Sequence, residues 1–210
     1  MIAIRNARIQ DANSVPELML SSGAELYHFI YSTNQYKALD YIRYEFKSGR
    51  GFCGYQNTTV LVSNEQVIGV GCFYDRKVYW RLFLETVINM LMFYGVIQVW
   101  RVFLRSDYVV RHIIKKPKQR ELYLMNFAIH PFFQRQGFAS QFLGAKIQEA
   151  EERGYQLFGL DVAADNLPAE RLYVRHGLQC VAIKSFNWFN KGIAIAASKK
   201  MELVLVSPSP

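Results

Sequence analysis

The sequence predicts an α/β fold. Three observations support this class. Short β-rich runs recur along the chain between segments of helical period. The run 122–129 is apolar apart from Asn126, as expected of a strand that is buried on both faces. A glycine-containing loop joins this run to a segment of helical period at 140–153.

The chain is expected to form a single domain. Its 210 residues and 51% hydrophobic content suffice for one buried core. We expect this domain to cover residues 1–206, with a disordered tail at 207–210. The start of the chain lacks the pattern of a secretory signal, and its three cysteines are widely spaced. A reduced, cytoplasmic protein is therefore expected.

The first 75 residues predict an edge strand, two helices and a hairpin. Asp11 or Asn13 can cap the first helix, and the pair Ser48-Gly49 can end the second. The predicted elements are a strand at 2–9, helices from 11 or 13 to 31 and at 36–47, and strands at 58–62 and 67–74. After the insert described next, the predicted elements are a strand at 121–129, a helix at 138–153, a strand at 155–162, a helix at 167–175, and strands at 178–186 and 201–206.

The segment 76–120 predicts a basic helical insert between the third and fourth strands. It holds ten basic and two acidic residues, so that its charge, 10 − 2 = +8, equals the net charge of the whole chain. Apolar residues at helical spacing oppose a polar stripe of Arg81, Glu85 and Asn89. A break is expected at Gly95, and Ser106-Asp107 is expected to cap a third piece.

Several partners fit this insert. A single membrane crossing is unfavourable, because it would separate strands of one sheet by a bilayer. Peripheral contact of 78–116 with an acidic membrane surface is one interpretation, since basic residues alternate with aromatic and aliphatic ones. A solvated helical lid on the sheet, a homodimer contact and an acidic protein partner are the others. No nucleic acid is expected, because no recognition-helix pattern is present.

Residues 134–139, Gln-Arg-Gln-Gly-Phe-Ala, predict an anion site between strand and helix. Gly137 and Ala139 allow a ligand to approach the main chain closely. The first-turn N–H groups of a helix have no partner inside it, and the helix dipole adds a partial positive charge. The side chain of Arg135 can add a full positive charge. Taken alone, a glycine at the head of a helix is more often a plain turn.

A second motif supports the interpretation of the first as an anion site. It lies at 166–178 and reads Asn-Leu-Pro-Ala-Glu-Arg-Leu-Tyr-Val-Arg-His-Gly-Leu. Together, and in this order, the two resemble the GCN5-related N-acetyltransferase (GNAT) superfamily. Its pyrophosphate loop reads Gln/Arg-x-x-Gly-x-Gly/Ala, and its later segment reads Asn-x-x-Ala-x-x-Leu-Tyr-x-x-x-Gly-Phe. The chain departs from this pattern only mildly, at Ala139 and Leu178.

The resemblance implies the GNAT acyl-CoA N-acyltransferase fold, in which a mixed, strongly twisted sheet has helices on both faces. It also implies transfer of an acetyl group from acetyl-CoA, as co-substrate, to a primary amine. The amine would attack directly in a ternary complex, and no metal is required. Tyr173 would act as general acid beside the sulfur. The cofactor-binding residues implied are Ala128 and Ile129 along the pantetheine arm, Gln134, Arg135, Gln136, Gly137, Phe138 and Ala139 at the pyrophosphate, and Asn166.

The general base is left open by the resemblance. Some members carry a glutamate on the central strand, near the position of Tyr123, and others use water chains. Glu121 lies two residues earlier and, by strand alternation, on the same face, which makes it a candidate. His28 is a further candidate, whereas His130 is expected to point toward the cofactor phosphates or solvent.

The acceptor, a small-molecule or peptide amine, is expected to bind beside the first two helices. The candidate contacts are Tyr27, His28, Tyr31, Tyr36, Trp188 and Phe189. A different class of function also fits the sequence: a non-catalytic CoA-binding module, attached to a membrane surface or a partner through the basic insert.

Overall fold

The computed structural model describes residues 2–112, 116–185 and 195–205. Its strands are β1 (Ile2–Asn6), β2 (Thr58–Ser63), β3 (Gln66–Tyr74), β4 (Glu121–Ile129), β5 (Leu157–Ala163), β6 (Gln179–Lys184) and β7 (Ser198–Val204). They form one sheet in the order β1-β2-β3-β4-β5-β7-β6. The pair β4–β5 is parallel and every other neighbouring pair is antiparallel, which confirms the predicted mixed sheet.

Helices cover both faces of this sheet. They are α1 (Val15–Ser21), α2 (Ala24–Tyr31), α3 (Ala38–Ser48), α4 (Arg76–His112), α5 (Phe138–Glu152) and α6 (Leu167–Arg175). Buried residues of α1 to α4 form one core with β2 and β3. Residues of α5 and α6 form a second core with β4, β5 and β7. The two cores lie on opposite faces because side chains alternate along the strands.

The first predicted helix is divided in two, which corrects the expectation of one helix up to Tyr31. Asp11 does not cap it, because its carboxylate pairs with Arg5 (2.8 Å) and accepts a hydrogen bond from the amide of Arg8. The chain then breaks at Ser22-Gly23, where the Ser22 hydroxyl donates to the carbonyl of Met19. Trp188, Phe189 and the tail at 207–210 lie outside the described residues.

Residues Arg76–His112 of the insert form one long helix with a single break. The backbone of Gly95 is non-helical (φ 69°, ψ 171°), as expected. The third piece predicted to begin at Ser106-Asp107 is not separate, because the helix continues through these residues. The hydroxyl of Ser106 donates to the carbonyl of Val102 one turn earlier, and Asp107 pairs with Arg111 instead of capping a new helix.

A buried carboxyl group joins α3 to α4. Glu45 Oε1 accepts hydrogen bonds from the hydroxyl of Thr86 (2.5 Å) and from Asn89 Nδ2 (3.4 Å). Its Oε2 has no hydrogen-bond partner among the described residues. Burial raises the pKa of Glu45 to about 7, although these hydrogen bonds oppose the shift. The carboxyl group is therefore stabilised in its protonated form.

We expect Glu45 to make the protein less stable as the pH rises. Its pKa is higher in the folded chain than the ordinary value of 4.5. The folded state thus binds the extra proton, and the free energy of unfolding falls by roughly 3 kcal/mol between about pH 4.5 and 7. Glu45→Gln keeps an acceptor for Thr86 and should remove this fall, which urea unfolding at several pH values measures. The exposed Glu17→Gln is the control, and an unchanged pH dependence in Glu45→Gln would contradict the assignment.

Candidate active site

A cleft of about 1080 Å³ opens where β4 and β5 part. The two strands are paired only from Glu121 and Leu157 to Leu124 and Leu160. Beyond that point β4 continues to Ile129 without a ladder partner on this side among the described residues. Its main-chain groups on this edge are therefore available to a ligand.

A β-bulge in β4 marks the point of separation. Met125 pairs with Cys72 and Ala128 with Val70, so that two residues, Asn126 and Phe127, lie opposite one residue of β3. Asn126 has a positive φ of 57°, an uncommon conformation outside glycine. Tyr27 stabilises it by donating its hydroxyl proton to Asn126 Oδ1. The bulge turns β4 away from β5 and so helps to form the cleft.

The loop after β4 forms one end of the cleft. Arg135 (φ 60°) and Gly137 (φ 85°) both have left-handed backbone conformations, and α5 begins at Phe138 without a side-chain cap. The first-turn amides of this 15-residue helix are thus free for an anion. Of the predicted pyrophosphate residues, Gln134, Arg135, Gly137 and Ala139 line the cleft.

Two residues of this loop have other contacts. The side chain of Gln136 donates to the carbonyl of Phe132, and the ring of Phe138 packs against Phe133. Neither lines the cleft, so only their main chain can contribute there. Ala128 and Ile129, the residues predicted for the pantetheine arm, line the cleft along the unpaired part of β4.

Tyr173 of α6 lines the cleft and is 6% exposed. Burial raises its pKa well above the ordinary value of tyrosine, so that the phenol stays protonated at neutral pH and can act as a proton donor. Asn166 also lines the cleft, at the start of α6, where its Oδ1 accepts from the amide of Ala169 (3.2 Å). This cap orients the helix that carries Tyr173.

A carboxylate that the sequence analysis overlooked, Asp161 of β5, also lines the cleft. The hydroxyl of Tyr123 donates to its Oδ2 (2.7 Å), and Lys184 Nζ lies 3.1 Å from its Oδ1. Asp161 and Tyr173 thus provide a carboxylate and a phenol in one cleft. The signal in the sequence was an acidic residue inside an otherwise apolar strand.

Glu121 does not line the cleft, which corrects its selection as a candidate base. It is fully buried at the start of β4, where the strands are still paired. Its Oε1 lies 2.6 Å from Lys200 Nζ, and its Oε2 accepts from the amide of Lys118. Lys200 also lies over the ring of Tyr123. Strand alternation correctly predicts that Glu121 and Tyr123 share a face of the sheet, but at Glu121 this face lies against Lys200 and outside the cleft.

Of the four candidate acceptor contacts on the first helices, two line the cleft and two do not. Tyr27 and Tyr31 line the cleft, beneath side chains of α4. His28 and Tyr36 do not, because His28 contacts Ser32 at the surface and Tyr36 packs against Phe93. The α4 residues that line this end of the cleft are mostly apolar: Phe83, Thr86, Val87, Met90, Phe103, Ser106, Asp107, Val109 and Val110. Across the described residues, no cluster of three or more His, Cys, Asp or Glu side chains could hold a metal ion.

The model of the acetyltransferase (GNAT) family matches residues 22–178 of this chain. The chain belongs to this family. The match includes the bulge in β4, the loop at 134–139 and Tyr173, and it confirms the resemblance found in the two sequence motifs.

A curated relative supports the same family. The chain is 32% identical, over 79 residues, to a [ribosomal protein bS18]-alanine N-acetyltransferase of Haemophilus ducreyi. The matched segment is 38% of this chain and 54% of that enzyme. The chain thus spans about half the length of the curated relative.

Solved structures confirm the predicted GNAT fold. An N-acetyltransferase of Staphylococcus aureus Mu50 superimposes with a TM-score of 0.70 at 15% identity, covering 96% of this chain and 100% of that one. A putative acetyltransferase of Salmonella typhimurium, solved with its cofactor acetyl-CoA, gives a TM-score of 0.56 at 16% identity and covers 100% of this chain and 96% of that one.

Proposed function

We propose that this protein transfers an acetyl group from acetyl-CoA to the primary amine of a small molecule or peptide. One observation carries the proposal: a carboxylate, Asp161, and a buried phenol, Tyr173, line the same cleft where β4 and β5 part. Family membership supports acetyl transfer, and the name of the curated relative describes transfer to an alanine amino group of a protein.

The cleft fits acetyl-CoA as co-substrate. The uncapped start of α5, with Arg135, would hold the pyrophosphate. The unpaired edge of β4 at Ala128 and Ile129 would bind the amides of the pantetheine arm as a further strand does. Asn166 would contact this arm from the start of α6. The structure of the Salmonella protein with acetyl-CoA supports this use of the fold.

The chemistry divides between the two side chains. Asp161 would accept a proton from the ammonium form of the acceptor, since only the neutral amine can attack the thioester carbonyl. The amine nitrogen would then add to the carbonyl carbon, and an N–H on the unpaired edge of β4 would stabilise the oxyanion of this intermediate. As the C–S bond breaks, Tyr173 would donate its proton to the departing thiolate of CoA, and the proton that the nitrogen loses would restore the phenol. Tyr123 and Lys184 would orient Asp161.

The second class of function is a CoA-binding module without catalysis, and it differs from the enzyme in the residues that it requires. Such a module needs the loop at 134–139 but no acid or base. If the protein binds acetyl-CoA and no amine is ever acetylated, the catalytic proposal fails and the binding site remains.

Gly137 should be required for acetyl-CoA binding. A side chain there has open space in the free protein but would intrude on the anion site, and the positive φ adds strain. Gly137→Val should weaken binding in calorimetric titration by about tenfold or more. The control is Gly154→Val at the other end of α5, which has a similar φ (74°) and also has open space. Equal affinity in the two variants would contradict the placement of the pyrophosphate.

Tyr173→Phe should slow turnover without weakening acetyl-CoA binding. The variant keeps the buried ring and removes only the proton donor, so that kcat should fall by about 10²-fold, while Kd changes less than twofold. Tyr155→Phe, which removes a phenol outside the cleft, should leave kcat unchanged. Wild-type turnover in Tyr173→Phe would exclude the acid role.

Asp161→Asn should lower kcat/KM by about 10²-fold near neutral pH, because the amine then has to lose its proton to solvent. The loss should shrink as the pH rises toward the pKa of the acceptor. A purely structural defect would persist at every pH. Asp165→Asn is the control, because it removes an exposed carboxylate of the same cleft. A pH-independent loss in Asp161→Asn would exclude Asp161 as the base.

A further inference from the structure

The insert helix α4 carries apolar side chains on two sides. Its inner side packs on the domain through buried residues such as Leu82, Met90 and Tyr94. Polar contacts add to this packing: Glu85 accepts from the amide of Gly51, Thr86 donates to Glu45, and Asn89 donates to the carbonyl of Arg50. Other large apolar side chains face outward. They are Trp80, Leu84, Ile88, Leu91, Met92, Val96, Ile97, Trp100 and Leu104. We call this set the outer face of α4.

The outer face is exposed far beyond what scattered surface apolar residues require. Ile97 is 91% exposed and Val96 is 81% exposed, on either side of a single peptide bond. On each side of the break at Gly95 the residues of the outer face recur every three or four positions, so that each half of α4 carries an apolar row. An exposed apolar surface of this kind marks an interaction surface.

The sheet excludes a membrane crossing by α4. By length and composition the helix from Arg76 to Arg111 could span a bilayer, and only 28% of its most apolar window is buried. However, the insert leaves β3 after Tyr74 and returns to β4 at Glu121, and these strands are hydrogen-bonded neighbours. Both ends of α4 therefore lie on one side of any bilayer, with its inner side packed on the domain.

The positive charges around the outer face favour a partner with negative charge. Exposed basic residues lie at both ends of the outer face: Arg76, Lys77, Arg81, Arg101, Arg111 and Lys116. The two acidic residues of α4, Glu85 and Asp107, are partly buried and pair with Arg81 and Arg111 of the same helix. Antiparallel packing of α4 against a second copy would oppose basic end to basic end, which disfavours self-association.

The aromatic residues indicate a lipid interface. Trp80 (54% exposed) and Trp100 (62% exposed) lie toward the two ends of the outer face, near the basic residues. Lys116 Nζ lies 5.4 Å from the ring centre of Trp80. Tryptophan with lysine or arginine at the borders of an apolar surface is the composition that the boundary between headgroups and acyl chains favours.

We propose that the outer face of α4 docks the protein on the surface of an acidic lipid bilayer. The aliphatic side chains between the two tryptophans enter the acyl boundary, and the flanking basic residues contact anionic headgroups. The inner side of α4 lines the acceptor end of the cleft, through residues such as Phe83 and Met90. Docking therefore brings that end of the cleft to about 10 Å from the lipid, one helix diameter. This inference does not depend on acetyl transfer.

Vesicle co-sedimentation of the full chain tests the proposal. The wild type should bind vesicles of phosphatidylcholine with about 30% phosphatidylglycerol at least about tenfold more tightly than phosphatidylcholine alone, and added salt should weaken the binding. The triple variant Leu84→Ser, Ile88→Ser, Ile97→Ser should lose it. The matched control, Val181→Ser, Ile183→Ser, Val204→Ser, removes three exposed apolar residues from β6 and β7 and should bind as the wild type does.

A single variant separates loss of docking from loss of folding. Ile97→Asp adds a negative charge at a side chain that is 91% exposed, so thermal unfolding should be nearly unchanged while vesicle binding falls about tenfold or more. Failure of the wild type to bind acidic vesicles, or wild-type binding by Ile97→Asp, overturns the proposal. A wild-type dimer that the triple variant dissociates, without vesicle binding, also overturns it and assigns the outer face to self-association.

Discussion

The parting of β4 and β5 is the constraint on which the site depends. Parallel strands otherwise pair along their length, and a continuous ladder would leave no cleft. Here the ladder ends after Leu124 and Leu160, and a bulge at Asn126-Phe127 turns β4 away. The bulge needs a positive φ at Asn126, which the hydrogen bond from Tyr27 stabilises. A helix of the first half of the chain thus supports the strand that forms the site.

The insert helix has two structural roles. Its inner side packs on the domain through buried apolar residues and through Glu45 of α3, which accepts hydrogen bonds from Thr86 and Asn89. Both halves of the helix are held on either side of the break at Gly95: Tyr94 donates to the carbonyl of Tyr31, and Arg105 to that of Ser32. One helix consequently forms a wall of the cleft and presents an apolar surface to the outside.

The sequence predicted most of the fold because its signals were local. The loop with Gly137, the end of α3 at Gly49 and the break at Gly95 all follow from short-range backbone rules. The choice of Glu121 failed because strand alternation gives the face of a residue but not its partner, and Lys200 is 79 residues away. Asp161 was missed for the same reason, since its contact with Tyr123 depends on the pairing of two strands. Periodicity showed that α4 is amphipathic, but not which side faces the domain.

The structure of the protein crystallised with acetyl-CoA is the most direct test of the central claim, that the cleft between β4 and β5 is an acetyl-transfer site. We expect the pantetheine arm along residues 125–129, the pyrophosphate at the start of α5, and the thioester sulfur within hydrogen-bonding reach of the Tyr173 hydroxyl. Acetyl-CoA bound elsewhere, or with its thioester remote from both Tyr173 and Asp161, would contradict the claim.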